Sequence, residues 1–365
     1  MAAKKTGISP ELIIHPGETI ADILEDRGIT QADLASRTGV SPAYVCSVIN
    51  GKKGISANFA MGLEYALGGP KSFWLNLQAN YESELLEANE ALTITEEERD
   101  AREALKDVVK YLRSKGKMPP RESKENSILS LRKALQISNI ANLKEMIPSG
   151  AFRISANAAM NPYVLGAWIR LCQIAGDNAV PSAQFDKGRI TELCGKIKQI
   201  MCRKNAVIQK DLKELLDKYG INFSIVKNFR GAPVQGYISQ NEAGSYQMAL
   251  TIRGSFADIF WFSLFHEIGH IVNGDVGKTA KFIDDGHDGD KEAAADQFAS
   301  NTLLSPESYQ IFLQNSDFTI EAIKKYAVSQ NVMPYIVIGR LQKEKHLEYS
   351  DYSDYKLRYK WADPT

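Results

Sequence analysis

At 365 residues the chain is too long for one ordinary core and long enough for two or three compact units. Its 44 basic and 44 acidic residues cancel, and 44% of positions are hydrophobic, which excludes a disordered or strongly charged chain and leaves any nucleic-acid partner to be argued from a motif. No apolar stretch approaches the roughly 18 residues that span a bilayer, and the start of the chain lacks an apolar export core. Cys46, Cys172, Cys194 and Cys202 form no CxxC pair, so a reduced, cytoplasmic protein with no membrane partner is expected.

Residues 11–90 read as a run of short helices broken by Gly28, Gly39, Gly51, Gly54 and Gly68-Gly69-Pro70. Thr30 and Ser41 are natural N-caps on either side of Gly39, which is helix-turn-helix spacing. Leu34, Ala35, Val40, Val45, Val48 and Ile49 would form the core. Gln31, Ser41, Ala43, Tyr44, Ser47 and Asn50 would then face outward as candidate contacts to base edges and phosphates, extended by Lys52 and Lys53. The plainer alternative is a helical bundle that touches no DNA. From His15-Pro-Gly-Glu-Thr-Ile through Asn50-Gly-Lys to Phe73-Trp74-Leu75 the segment resembles the XRE superfamily, specifically HigA-like antitoxin repressors. The resemblance implies a double-stranded DNA operator, and the modest local charge predicts an affinity that depends on a homodimer and falls with salt.

Residues 91–125 are rich in charge and read as a helical connector, with Leu105, Val108, Val109 and Leu112 on one exposed helix and a break at Pro119-Pro120. Residues 126–204, including Arg153-Ile-Ser155 and Ala167-Trp168, form a helical middle region with no catalytic spacing.

The last region, 205–345, starts with an amphipathic helix stopped by Gly220. β-formers follow at Ile221 to Val226, Val234 to Ile238 and Tyr246 to Ile252, with glycines at the turns, which predicts a small antiparallel sheet. The fold class is therefore α+β, mainly α. The next helix carries His266-Glu267-Ile-Gly-His270. Histidines four apart project from one helix face, as two ligands of a single Zn²⁺ must, and Glu267 stands where a general base can reach a metal-bound water. A surface histidine pair is the plainer alternative, but only five histidines occur in the chain and two of them sit on this apolar helix. Glu292 follows His270 after 21 residues and is preferred as third ligand over His287, which lies in a polar, glycine-rich loop. Asp296, one turn further on, is assigned as the acceptor that fixes a histidine ring. A third histidine six residues after His270 would mark a metzincin, but that position is Val276.

These residues, with Phe298-Ala299, Leu303-Leu304-Ser305-Pro306 and Ile336-Val-Ile-Gly-Arg-Leu341, resemble the ImmA/IrrE family of bacterial metallopeptidases. Ser305 departs from the methionine expected before the proline. The resemblance implies a zincin-like domain with a thermolysin-like ligand set, one Zn²⁺ per chain, and a transcriptional regulator as protein substrate. Residues 346–365 form a tyrosine-rich tail that is expected to dock on the domain.

Together these features predict a DNA-binding regulatory zinc metallopeptidase that cleaves a regulator, a partner or itself. His287 and Tyr237 are the candidate transition-state donors. Two alternatives stand beside it: a repressor or antitoxin whose metal site senses or stabilises without turnover, and a peptidase whose first domain binds only protein. A general base at Glu267 and a coordination position left open by three ligands speak against the first.

Overall fold

A computed structural model describes residues 13–147, 160–176, 181–252, 255–276, 282–284 and 289–360. Two compact units emerge, one built on residues up to Glu96 with Glu122–Leu129, the other on Glu97–Arg121 and the chain from Ser130 onward.

The first unit is built around α1 (Pro16–Arg27), α2 (Gln31–Thr38), α3 (Pro42–Ile49), α4 (Ala57–Leu67) and α5 (Lys71–Asn89). Side-chain caps set where they start. His15, Thr30, Ser41 and Ser56 each accept a backbone N–H from the first turn that follows, the kind of contact that is worth about 1 kcal/mol per helix. Gly39, at φ 71°, closes α2 in the left-handed conformation that the tight turn into α3 demands. Ile20, Leu34, Ala35, Val45, Val48, Phe59, Leu63 and Trp74 make the core, with Val40 and Ile49 packed at its edge.

The connector does not form a single exposed helix. It folds as α6 (Glu96–Ala104) and α7 (Lys106–Ser114), broken at Leu105, and Leu105, Val108, Val109 and Leu112 are all buried. Glu98 is fully buried as well. Arg132, on α8 (Lys124–Leu135), grips its two carboxylate oxygens at 2.9 and 2.6 Å, and the Ile140 N–H donates to it at 3.1 Å. The charge that suggested a solvated surface is in part neutralised inside the protein.

The second unit continues with α9 (Pro162–Gly176), α10 (Ile190–Cys202) and α11 (Ile208–Asp217), followed by β1 (Ile221–Ile225), β2 (Gly236–Gln240) and β3 (Tyr246–Leu250). A short β4 (Phe282–Asp284) completes a sheet of order β1-β3-β2-β4. The sheet is mixed, not antiparallel. β2 and β3 form a hairpin, and β3 then runs parallel to β1, pairing Ile221 with Tyr246 through Ile225 with Leu250. The reversal at Asn241–Ser245 returns β3 in the direction of β1, so a reading of each strand by itself does not reveal the parallel pair.

α12 (Ala257–Asn273) is the central helix of this unit, with Phe260, Trp261, Leu264, Phe265, Ile268 and Ile271 in the core. Ile259, by contrast, is 39% exposed. α13 (Gly289–Leu303) packs directly on α12, because Gly269 lacks a side chain: a Cβ there would lie 3.1 Å from Ala295 Cα. α14 (Pro306–Asn315), α15 (Ile320–Ser329) and α16 (Pro334–Lys343) complete the unit. The tail docks on α12: Ala257 N–H donates to Leu357 O, and Trp261 Nε1–H donates to Tyr359 Oη at 2.9 Å. No helix among the described residues is long and apolar enough to cross a membrane.

Candidate metal centre and helix-turn-helix surface

On α12, His266 and His270 lie one turn apart with their Nε2 atoms 3.0 Å from each other. The α12–α13 contact at Gly269 and Ala295 brings Glu292, one turn before Ala295, to the same point. Glu292 Oε2 is 3.0 Å from His266 Nε2 and Oε1 is 3.5 Å from His270 Nε2. One donor atom from each of the three residues falls within 4.8 Å of the others.

The other face of each imidazole is also fixed. Asp296 Oδ1 lies 2.9 Å from His266 Nδ1, and Asp275 Oδ2 lies 2.9 Å from His270 Nδ1. A carboxylate accepts, so each Nδ1 is the donor and each Nε2 turns a lone pair inward. Two lone pairs and a carboxylate converging on one point could hold a cation. Two imidazoles and one carboxylate are a donor set that suits a zinc ion and leaves room for a fourth ligand. Burial pushes the Glu292 carboxyl up, but the closeness of the His266 and His270 imidazoles outweighs it and lowers the group to about 2. Asp296 is likewise raised by burial and lowered further by His266 and Lys343, ending below the ordinary carboxylate value.

Glu267 points from the same helix and is fully buried. β2 passes over it at Gly236, where an added Cβ would overlap Glu267 Oε1. A cleft of about 750 Å³ opens beside the centre. His266, Glu292 and Asp296 line it together with Gln235, Ser263, Phe262, Leu304 and Ile336. Lys343 stands at its edge, 3.3 Å from Asp296 Oδ2 and over the Phe262 ring. Tyr237 is 1% exposed within β2, and His287 lies outside the described residues, as does Arg153-Ile-Ser155.

Three residues of this centre were not singled out from the sequence. Asp275 follows the α12 cap residue Gly274, and an acid five positions after the second histidine is the one local signal it offers. Gly236 and Gln235 owe their places to the pairing of β2, which no local pattern announces.

In the first unit, Gln31, Ser41, Ala43, Asn50, Lys52 and Lys53 are exposed and Tyr44 and Ser47 half-buried. Several of these side chains hold the domain together. Ser41 Oγ accepts from Tyr44 N, Ser47 Oγ donates to Ala43 O, and Asn50 Nδ2 donates to Cys46 O. Tyr44 Oη donates to Gly54 O at 3.0 Å, under Lys53 Nζ. Gln31 begins α2 and Lys52 and Lys53 follow α3.

A family model described as a helix-turn-helix matches residues 20–74. Among curated relatives, Virulence-associated protein I of Dichelobacter nodosus is 33% identical over 75 residues, covering 20% of this chain and 69% of that protein. Virulence-associated protein A′ of the same organism is 41% identical over 69 residues, covering 19% of this chain and 60% of that one. Of solved structures, antitoxin GraA is 30% identical, covers 24% of this chain and 98% of its own, and superposes with a TM-score of 0.22.

Proposed function

We propose, for a chain that belongs through residues 20–74 to the helix-turn-helix family, a DNA-binding regulator whose second unit is a zinc-dependent endopeptidase. Its substrate in this reading is a transcriptional regulator, in keeping with the resemblance of residues 205–345 to ImmA/IrrE metallopeptidases. One observation supports the enzyme most: His266, His270 and Glu292 converge, and a carboxylate holds the outer nitrogen of each imidazole. A surface histidine pair has no use for two such carboxylates.

Zinc bound by His266, His270 and Glu292 would supply a Lewis acid and a water acidified to a pKa of about 7. The chain itself supplies the rest. Glu267 takes a proton from the attacking water and returns it to the amine nitrogen as the C–N bond breaks. Its burial keeps bulk water away from that proton, and Gly236 leaves room for its carboxylate. Asp296 and Asp275 keep both imidazoles in register. The cleft presents Phe262, Leu304 and Ile336 to the side chains of an extended peptide.

In the first unit, α3 would enter the major groove, with Gln31, Ser41, Ala43, Tyr44, Ser47 and Asn50 toward the bases and backbone and Lys52 and Lys53 toward phosphates. The intradomain bonds of Ser41, Tyr44, Ser47 and Asn50 make these four positioners of the helix as much as contacts. Metal analysis of the purified chain tests the centre: wild type is expected to carry one zinc per chain and Glu292→Ala far less. A gel shift on the chain's own upstream DNA tests the first unit. Zinc bound without any turnover would leave a repressor with a sensory or structural metal site.

A further inference from the structure

One side-chain amide at the metal centre has a defined orientation that neither metal binding nor base catalysis requires. Gln235 immediately precedes Gly236, whose backbone lies against Glu267 Oε1, and it lines the cleft that His266 and Glu292 also line. Its backbone is anchored by Thr251 N–H, which donates to Gln235 O at 2.9 Å. Ser263, one turn before Glu267 on α12, donates its Oγ–H to Gln235 Oε1 at 2.9 Å. Ser263 is 7% exposed, and both residues line the cleft with His266 and Glu292.

An amide has one acceptor end and one donor end. Ser263 occupies the acceptor end, so the Nε2 hydrogens are the ones offered to a group in the cleft. A glutamine that served packing alone would need no buried hydroxyl to orient it. Of the donors suggested by the sequence, Tyr237 is buried within β2 and His287 lies outside the described residues; Lys343, which also lines the cleft, is drawn to Asp296 at the outer edge.

We propose, on the basis of the peptidase reading, that Gln235 is a catalytic donor: its Nε2–H bonds the carbonyl oxygen of the scissile peptide. Water adds to the carbonyl carbon and the C=O π pair moves onto oxygen, where the fixed amide meets the growing negative charge. Glu267 carries the water proton to the departing nitrogen, the C–N bond breaks and the C=O bond re-forms. Gln235 makes no covalent bond and changes no protonation state. Ser263 is a positioning residue that acts through it.

The test uses zinc-loaded full-length wild type, Gln235→Glu, Gln235→Leu and Ser263→Ala, and a phosphinic peptide with apolar side chains, whose tetrahedral oxygens mimic the hydrolysis transition state. Calorimetry gives its Kd, and zinc content and Tm report on folding. Both Gln235 variants are expected to keep their zinc and Tm and to bind the probe about 100-fold more weakly, the loss typical of removing one oxyanion donor. Ser263→Ala should weaken binding less. Wild-type affinity in Gln235→Leu would overturn the assignment of Gln235 alone. Wild type that binds the probe no better than metal-free protein would overturn the peptidase reading, and the donor role with it.

Discussion

Gly236 and Glu267 compete for one volume: the carboxylate of Glu267 occupies the place where a side chain at Gly236 would begin. The strand and the helix are thus matched through an absent Cβ, and the position of the proposed base depends on a residue with no chemistry of its own. Gly236→Ala is expected to displace Glu267 and to abolish cleavage while His266, His270 and Glu292 still bind zinc. Overpacking of this kind costs about 1–3 kcal/mol, which a thermal melt would detect. Full activity in Gly236→Ala would show that Glu267 acts from elsewhere.

The two carboxylates behind the imidazoles differ in exposure, with Asp275 at 10% and Asp296 at 45%. Removing either should lower zinc affinity about 10–100-fold, the usual effect of losing an outer partner of a ligating histidine. Asp275→Ala should lie toward the larger end and Asp296→Ala toward the smaller, because water can replace the more exposed partner. Competition against a chromophoric chelator would measure both. Equal zinc affinity in wild type and the two variants would contradict the role given to them.

The stability of the first unit should depend on pH through His15. This ring caps α1 by accepting Gly17 N–H on Nδ1 and packs edge-on against Tyr81. Burial lowers its pKa from 6.5, opposed in part by Glu18. Folding therefore favours the neutral ring. The stabilisation is complete above pH 6.5 and is lost as pH falls through the lower folded-state value. His15→Asn keeps a capping acceptor and removes the titration, so its melting temperature should change less than that of wild type between about pH 7 and 5. Parallel pH profiles for the two proteins would refute this.

Two kinds of DNA contact should separate by salt. Lys52→Ala with Lys53→Ala is expected to weaken binding to specific and unrelated duplexes alike. It should also flatten the log–log salt dependence by about 0.9 for each phosphate that is no longer neutralised. Gln31→Ala should cost roughly 1–3 kcal/mol on the operator and little on unrelated DNA. Fluorescence anisotropy at several salt concentrations would distinguish the two. Equal losses on both duplexes for Gln31→Ala would remove it from the base-reading set.

What the sequence disclosed was local. Thr30 and Ser41 announce their helices because a cap is a contact across three residues, and the core of the first unit follows from helical periodicity. A spacing of four was enough to put His266 and His270 on one face. What stayed hidden depends on long-range pairing. The sheet is mixed because β3 returns beside β1, a relation that the alternation within each strand does not encode. Glu98 looked like part of a solvated charge run because its partner Arg132 is 34 residues away. Asp275, Gln235 and Gly236 acquire meaning only when α12 meets the end of β2 and the loop after its own cap.

Whether Glu267 is a base at a zinc centre is decided by metal content measured together with proteolysis of the chain itself and of repressors from its genomic neighbourhood. Wild type is expected to cleave one of them, and Glu267→Gln to retain a full complement of zinc with no detectable cleavage. Cleavage by Glu267→Gln at the wild-type rate would show that Glu267 is not the base.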